Sequence, residues 1–359
     1  MTIKGVLMAG GKGTRLRPIT YSIPKPLVPV AGKPCMEYPL NSFKEAKIKD
    51  VIVTTGYKFE SLITGLLKNE RKTQNILFSV ENEPAGTAGS VKLVQGFLDD
   101  TFVVGSGDIL FDFDIKAAIK HHEESGKIAT IVLTEVEDPT QLGIVETENG
   151  IVKRFLEKPS PKEVFSKMAN TGLYIMEPEV LARIPENEPY DFGKQLFPKL
   201  VSEGIEINTW VGKGVWLDTG RPKELIAGSQ IMASRYGFDI QEKCITGKMI
   251  LKERPIGDNF KIDGNCYIGE SIKLGNGSMI TNSMVYDEVE LADDVKIVDS
   301  IIFNGCKIDS GSEINGSVIM ENTSIGKKCI IQRSALSSNI SIQNSSRIYD
   351  VSLSSNSSE

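Results

Sequence analysis

Apolar residues recur every six positions through the last third of the chain. Ile262, Ile268, Leu274 and Ile280 form one run, and Val289, Val295 and Ile301 a second. Ile302, Ile308 and Ile314 form a third, and Ile319, Ile325 and Ile331 a fourth. A period of six fits neither the 3.6 of a helix nor the 2 of a half-buried strand. It fits a β-solenoid, whose flat sides each turn one apolar residue inward and whose repeats bury that face only against neighbouring coils. Gly and Asn punctuate the gaps (GNCYIG, GNGSMI, NGCKID, NGSVIM). Three hexads per turn predict roughly five turns. The slips between runs predict bulges or loops at corners. The Ser- and Asn-rich stretch from Ser334 is expected to cap the array, with a polar tail over residues 354–359.

The preceding ~235 residues have another texture, in which strand-like and helix-like segments alternate. Strands are expected at 3–9, 50–55, 76–80, 101–104, 128–136, 151–157, 172–176 and 207–211. Helical spacing of apolar residues covers 58–68 and 87–97, and Pro222 suits the first turn of a helix running to about 236. This alternation predicts a Rossmann-like, doubly wound α/β domain with helices on both faces of its sheet. The expected organisation is residues 1–236 as that domain and 237–353 as the solenoid.

Composition narrows the function. The 359 residues are 40% hydrophobic and 25% charged, an ordinary globular balance. The net charge of −6 argues against a nucleic-acid partner, which calls for a basic face. No apolar run is long enough for a membrane span, and the N-terminal segment lacks a signal-peptide pattern. Cys35, Cys244, Cys266, Cys306 and Cys329 include no CxxC pair and read as reduced thiols, which together suggests a cytoplasmic enzyme. His121 and His122 share an expected solvated helix, and the solenoid has no histidine, which disfavours a histidine-dependent acyltransferase there.

The first expected strand runs into Leu7-Met-Ala-Gly-Gly-Lys-Gly-Thr-Arg-Leu-Arg-Pro18. Glycines let a backbone approach phosphate and aim N–H groups at it. Neither the Rossmann GxGxxG nor the P-loop GxxxxGK[ST] is present, so the loop alone fits a tight turn equally well. Arg15 lies just past Gly13, and Pro24-Lys25-Pro26 follows, with prolines stiffening the chain on both sides of Lys25. Arg and Lys beside a glycine loop make a cationic clamp for a polyphosphate.

The block GVLMAGGKGTRLRPITYSIPKPLVPVAGKP closely resembles the signature of the sugar-1-phosphate nucleotidyltransferases, and the resemblance extends through most of residues 3–225. It implies that Ala9, Gly10, Gly11, Gly13 and Thr14 cradle a nucleoside triphosphate, that Arg15 grips the triphosphate, and that Lys25 bridges phosphates. Asp108 after FVVGSG and Asp218 in VWLDTG match the family's Mg²⁺-binding aspartates; alone, each reads as an ordinary turn Asp. Asp112 and Asp114 fit a loop and a helix N-cap better. The resemblance assigns Gly143, Glu157, Lys158, Asn170 and Thr171 to a sugar 1-phosphate, with Gly143 leaving room for the sugar ring.

Glu81, Gly86 and Thr87 fall in the family's base-reading segment. An acceptor-only carboxylate at Glu81 suits the adjacent N–H donors of guanine, where an amide would suit uracil or thymine. With GTAG at 86–89 and DFGKQLFPKL at 191–200, the chain looks more like mannose-1-phosphate guanylyltransferases than thymidylyltransferases. Thymidylyl or uridylyl transfer, and a non-catalytic regulatory subunit, stay open. The solenoid's expected role is assembly into a homo-oligomer.

Overall fold

The computed structural model describes residues 3–67, 74–186 and 188–354. Lys68, the expected end of a helix, and residues 355–359 of the polar tail lie outside the described residues. The chain divides into two compact units. The first comprises Met1–Gly11 and Cys35–Leu217, the second Lys12–Pro34 and Asp218–Glu359.

The main sheet of the first unit has nine strands among the described residues: β1 Lys4–Met8, β2 Asp50–Thr55, β3 Asn75–Val80, β4 Phe102–Ser106, β5 Ala129–Glu135, β6 Gly143–Glu148, β7 Ile151–Glu157, β8 Met168–Met176 and β9 Asn208–Val211. They form one sheet in the order β3-β2-β1-β4-β8-β5-β9-β7-β6. β3, β2, β1 and β4 run parallel. Beyond β4 the sheet is mixed, because β8 lies antiparallel to both β4 and β5. In the parallel half the stretch Val-Ile-Val-Thr-Thr of β2 is buried on both faces, and its first three residues form a continuous apolar run. Neighbouring residues of β1 show the two helical layers. A side chain on Gly5 would run into Phe43 of helix α1 (Glu37–Glu45). Val6 points the other way, into a core cluster containing Ala88 and Val91 of a helix at Gly86–Lys92.

Two local expectations change. The helix expected over 87–97 stops at Lys92 and tightens, with a separate 3-10 turn at Gln95–Phe97. Gly96, a poor helix former, falls inside that turn; Val94 and Leu98 stay buried while Leu93 and Phe97 are exposed. The strand expected at 172–176 starts at Met168, which places Asn170 and Thr171 inside it, where its register against β5 shifts. The helix Ile115–Ser125 is not solvated throughout: His122 is buried, bonded to Thr130 Oγ1 at 2.7 Å and Glu177 Oε1 at 3.1 Å. Asp114 does cap that helix, accepting the Ala117 N–H at 2.9 Å.

The second unit contains the parallel β-helix. Five complete coils, each of three short strands, run from Phe260–Asp263 to Ser341–Ile342. They are preceded by Ile245–Leu251 and followed by Arg347–Tyr349 and Ser352–Leu353. Stacked strands pair 17 residues apart in nearly every case, as in Lys296 with Glu313 and Glu313 with Ile330. Two sixes and a five make one coil, which explains the slips in the six-residue period. The inward column therefore passes through Leu291 and Ile297 to Ile302, and Val289 and Val295 fill corners of the same core. Ile301 is buried outside that core, beside Met284 and Val318 of adjacent coils.

Each coil turns through three left-handed residues, for example Asn282, Glu288 and Asp294, then Asp299, Gly305 and Gly311. Asn and Gly tolerate that conformation best, hence the punctuation in the sequence. A serine ladder runs up one corner. Ser283, Ser300 and Ser317 each accept the backbone N–H one coil on, at 3.0, 3.1 and 3.1 Å. The same hydroxyls donate to carbonyls two residues back, so polar groups inside the apolar column are satisfied.

Candidate functional site

In the second unit, residues 12–34 form two 3-10 turns, a short helix and a hairpin. Gly13 sits at φ 61, where the Thr20 Cγ2 methyl would lie 2.9 Å from a Cβ, so this glycine serves the fold. Thr20 Oγ1 donates to the Gly13 carbonyl at 2.9 Å, closing the loop that carries Thr14 and Arg15. Pro24 and Pro26 flank Lys25, whose side chain is only 5% exposed.

Asp218 joins these cations. Lys25 Nζ donates to Asp218 Oδ1 at 2.8 Å and Arg15 Nη2 to Oδ2 at 2.9 Å. Gly220 makes room, since a Cβ there would stand 2.9 Å from Arg15 Nη2 and 3.0 Å from Asp218 Oδ1. Burial alone would push the Asp218 carboxyl up, but Lys25 and then Arg15 outweigh it and hold the group below the usual carboxylate range. The result is an ionised carboxylate locked to two cations, one of them half exposed.

In the first unit, β1 ends beside Ala9, whose N–H reaches the Thr54 carbonyl at 2.7 Å. Gly11 has open space where a side chain would go, and Gly10 has only loose contact with the Glu81 carboxylate. Nothing inside the fold demands glycine at these two positions. Open space above a strand end is what a close-approaching ligand requires.

Glu81 folds back on its own loop, with Oε2 accepting the Ala85 N–H at 3.1 Å. Burial pushes its carboxyl up, and the Ala85 bond opposes this. Gly86 has φ 76, and a Cβ there would lie 2.7 Å from the Tyr190 carbonyl oxygen, so the turn requires glycine. Thr87 donates through its N–H and its hydroxyl to Asp191 Oδ1 at 3.0 and 3.1 Å. Asp108, half-buried at the end of β4, accepts Ser106 Oγ at 2.5 Å. Asp112 is a structural loop residue: its Oδ1 accepts the Val215 N–H at 2.6 Å and so fixes the strand that leads to Asp218.

The expected sugar-phosphate residues also lie in this unit. The room that Gly143 leaves is filled by the Glu157 carboxylate and the Phe155 ring, 2.7 and 2.8 Å from a hypothetical Cβ. Gly193 borders Glu157 Oε2 in the same way. Burial pushes the Glu157 carboxyl up, countered by Lys158 and Lys194. Lys158 is exposed and holds a left-handed φ of 48 ahead of Pro159. Asn170 Nδ2 donates to Tyr174 Oη at 2.9 Å. Thr171 is buried, its hydroxyl donating to the Val132 carbonyl at 2.7 Å and its carbonyl accepting Trp216 Nε1 at 3.0 Å.

The sequence did not single out Asp191 and Gly193 as neighbours of these residues. They sit at the start of a segment with i→i+5 bonds, Phe192–Leu196, which connects Thr87 with Glu157. A lone glycine inside DFGKQ carries no signal for that role.

Among the described residues, no group of three or more His, Cys, Asp or Glu could hold a metal ion, and no helix is long and apolar enough to cross a membrane.

Known proteins are similar to this chain. The chain is 35% identical over 300 residues to a UTP–glucose-1-phosphate uridylyltransferase of Synechocystis sp., covering 77% of this chain and 76% of that one. It is 36% identical over 266 residues to mannose-1-phosphate guanyltransferase 2 of Candida glabrata, covering 72% and 73%. A crystal structure of a putative glucose-1-phosphate thymidylyltransferase from Bacillus anthracis superposes with a TM-score of 0.59 at 26% identity, covering 67% of this chain and 98% of that one. The GlmU-like C-terminal hexapeptide family matches residues 271–352, and the nucleotidyl transferase family matches residues 4–235. With a glycine loop, two cations and an ionised carboxylate in place, the chain belongs to the nucleotidyl transferase family.

Proposed function

We propose that this protein joins GTP to mannose 1-phosphate, releasing pyrophosphate and GDP-mannose. The observation that carries the transfer reaction is the Asp218 carboxylate held at 2.8 and 2.9 Å by Lys25 and Arg15. Two cations and an ionised carboxylate are poised there. A phosphate dianion attacking phosphorus needs no protein nucleophile or general base.

A phosphate oxygen of the sugar 1-phosphate attacks the α-phosphorus of the nucleotide. The bond to the β-phosphate bridging oxygen breaks, and pyrophosphate leaves on the opposite side. The protein's task is alignment and charge neutralisation. Lys25 and Arg15 offset charge on the triphosphate, Arg15 on the departing pyrophosphate, and Lys158 on the sugar phosphate. Gly10, Gly11 and Gly13 with Ala9 and Thr14 line the nucleotide. Glu157 and Asn170 accept and orient sugar hydroxyls, with Gly143 and Thr171 shaping their surroundings.

Mg²⁺ takes hard oxygens and usually keeps waters and substrate phosphates beside one or two carboxylates. The family resemblance would give Asp108 and Asp218 as the carboxylates that hold it, and Asp218 stays ionised against two cationic partners. Bound there, the ion would screen the phosphates.

The choice of GTP rests on the Glu81 carboxylate with Gly86 and Thr87, and on the guanyltransferase relative. The uridylyltransferase relative favours UTP as the second reading. We assign residues 1–236 to catalysis, 237–353 to the β-helix, and the protein to the cytoplasm as a homo-oligomer assembled through that β-helix. The cysteines include no CxxC pair, in keeping with a reducing compartment.

Pyrophosphate release is measured with Mg²⁺ across each nucleoside triphosphate and mannose, glucose and N-acetylglucosamine 1-phosphates. GTP with mannose 1-phosphate should give the highest kcat/KM. A maximum with UTP or dTTP transfers the assignment to the second reading, and no release with any pair defeats the enzymatic one. A monomer by light scattering removes the assembly role.

A further inference from the structure

The cationic segment of the signature is mounted on the β-helix. Residues 12–34 belong to the same compact unit as the coils. Four residues after Lys25, Pro29–Val30 pairs with Lys33–Pro34 in a hairpin. Its two turn residues, Ala31 and Gly32, have φ of 46 and 83, the tight mirror-image turn that reverses a β-ribbon.

The tip of that turn meets an aromatic ladder on the outside of the coils. Tyr267 and Tyr286 lie with ring centroids 5.0 Å apart, and Phe303 follows at 5.3 Å. All three are buried. The Gly32 N–H donates to Tyr286 Oη at 3.4 Å, a long and weak bond. The steric restraint is stronger, since a Cβ on Gly32 would clash with the edge of the Tyr267 ring. The hairpin also packs on helix α2 (Pro222–Tyr236), where Lys33 Nζ lies 5.2 Å from the centre of the Tyr236 ring. That helix begins four residues after Asp218. Both halves of the Lys25–Asp218 pair are thus anchored within a few residues on the same coils, and prolines at 24, 26 and 29 stiffen the connection.

We propose that Tyr267 and Tyr286 are positioning residues for the reaction, setting Lys25 and Arg15 against Asp218 through the 29–34 hairpin. This rests on the catalytic reading of Lys25 above. The β-helix is then a part of the catalytic machinery's support, beyond any role in assembly.

The test uses the full chain with Gly32→Ala and Tyr267→Leu, each alone and each combined with Lys25→Ala. The measurements are kcat, both KM values and the thermal midpoint. A shift of about 1 Å in a positioned group can cost up to about 100-fold in rate. Each single variant should lose roughly tenfold in kcat, with KM for the sugar phosphate within about twofold. In the Lys25→Ala background the same changes should cost little more, because the group they position is gone.

Normal kcat in folded Tyr267→Leu overturns the inference. So does a loss that adds fully to that of Lys25→Ala, which would mean general damage. If Gly32→Ala does not fold, Tyr267→Leu decides alone. Normal turnover by Lys25→Ala itself defeats the catalytic reading instead, a result distinguishable from the others.

Discussion

Replacing Lys25 by alanine separates what the site does for folding from what it does for chemistry. Lys25 is nearly inaccessible and its ammonium stands 2.8 Å from Asp218, whose side chain is 22% exposed. Breaking a fully buried pair costs about 3–5 kcal/mol, mostly by leaving a charge unpaired. Asp218 keeps Arg15 at 2.9 Å and some solvent. The expected loss is therefore about 1–2 kcal/mol, or roughly 2–8 °C in thermal midpoint. The catalytic loss should be larger, because removing one preorganised charge donor from a transition state costs about 100- to 1,000-fold in kcat. Asp218 should also titrate higher once Lys25 is gone, since burial then meets only Arg15. Its lowered folded value gives stability that is whole above the unfolded value of about 3.9 and is lost as pH falls through the folded one. In the variant that loss is smaller and ends at higher pH, because the folded value lies closer to the unfolded one. Pyrophosphate release and thermal melts at several pH values read all three effects. A variant that melts lower yet turns over at the normal rate would refute the argument, leaving Lys25 a folding residue.

Glu81→Gln should move the ratio of kcat/KM for GTP over UTP by about tenfold or more towards UTP, because an amide donor opposes guanine N–H groups; an unchanged ratio removes Glu81 from base reading. Ile314→Ala, at 1% exposure in the middle of the coils, should cost about 2–5 kcal/mol in urea unfolding. A loss below about 1 kcal/mol would show that the column is not packed to interior density. Burial lowers the His122 pKa, and Glu177 only partly restores it. Below about pH 6.5 the unfolded chain takes up a proton that the folded one refuses, so stability should fall from there towards the folded value and then level off. His122→Gln should flatten that slope in urea midpoints between pH 7.5 and 5, and a slope that survives would place its origin elsewhere.

The β-helix was legible because its period is local and repetitive. One apolar residue per six, with Asn and Gly between, follows directly from flat sides and left-handed corners. The doubly wound sheet was legible for the same reason, as β2 and β7 fall where their apolar runs lie. What escaped was long-range. The register that makes Leu291 and Ile297 the inward column depends on a 17-residue coil that only stacking reveals. Gly143 invites a ligand in the sequence, yet the half-buried Glu157 side chain fills its space.

The amino-acid sequence by itself determined the element types, the solenoid and the identity of the cations, because propensity, period and charge reside in neighbouring residues. Only the tertiary structure decided that Lys25 and Arg15 meet Asp218, some two hundred residues away, and that Gly32 rests on Tyr267 and Tyr286. Such pairings come from which surfaces bury together, and no stretch of chain encodes that alone.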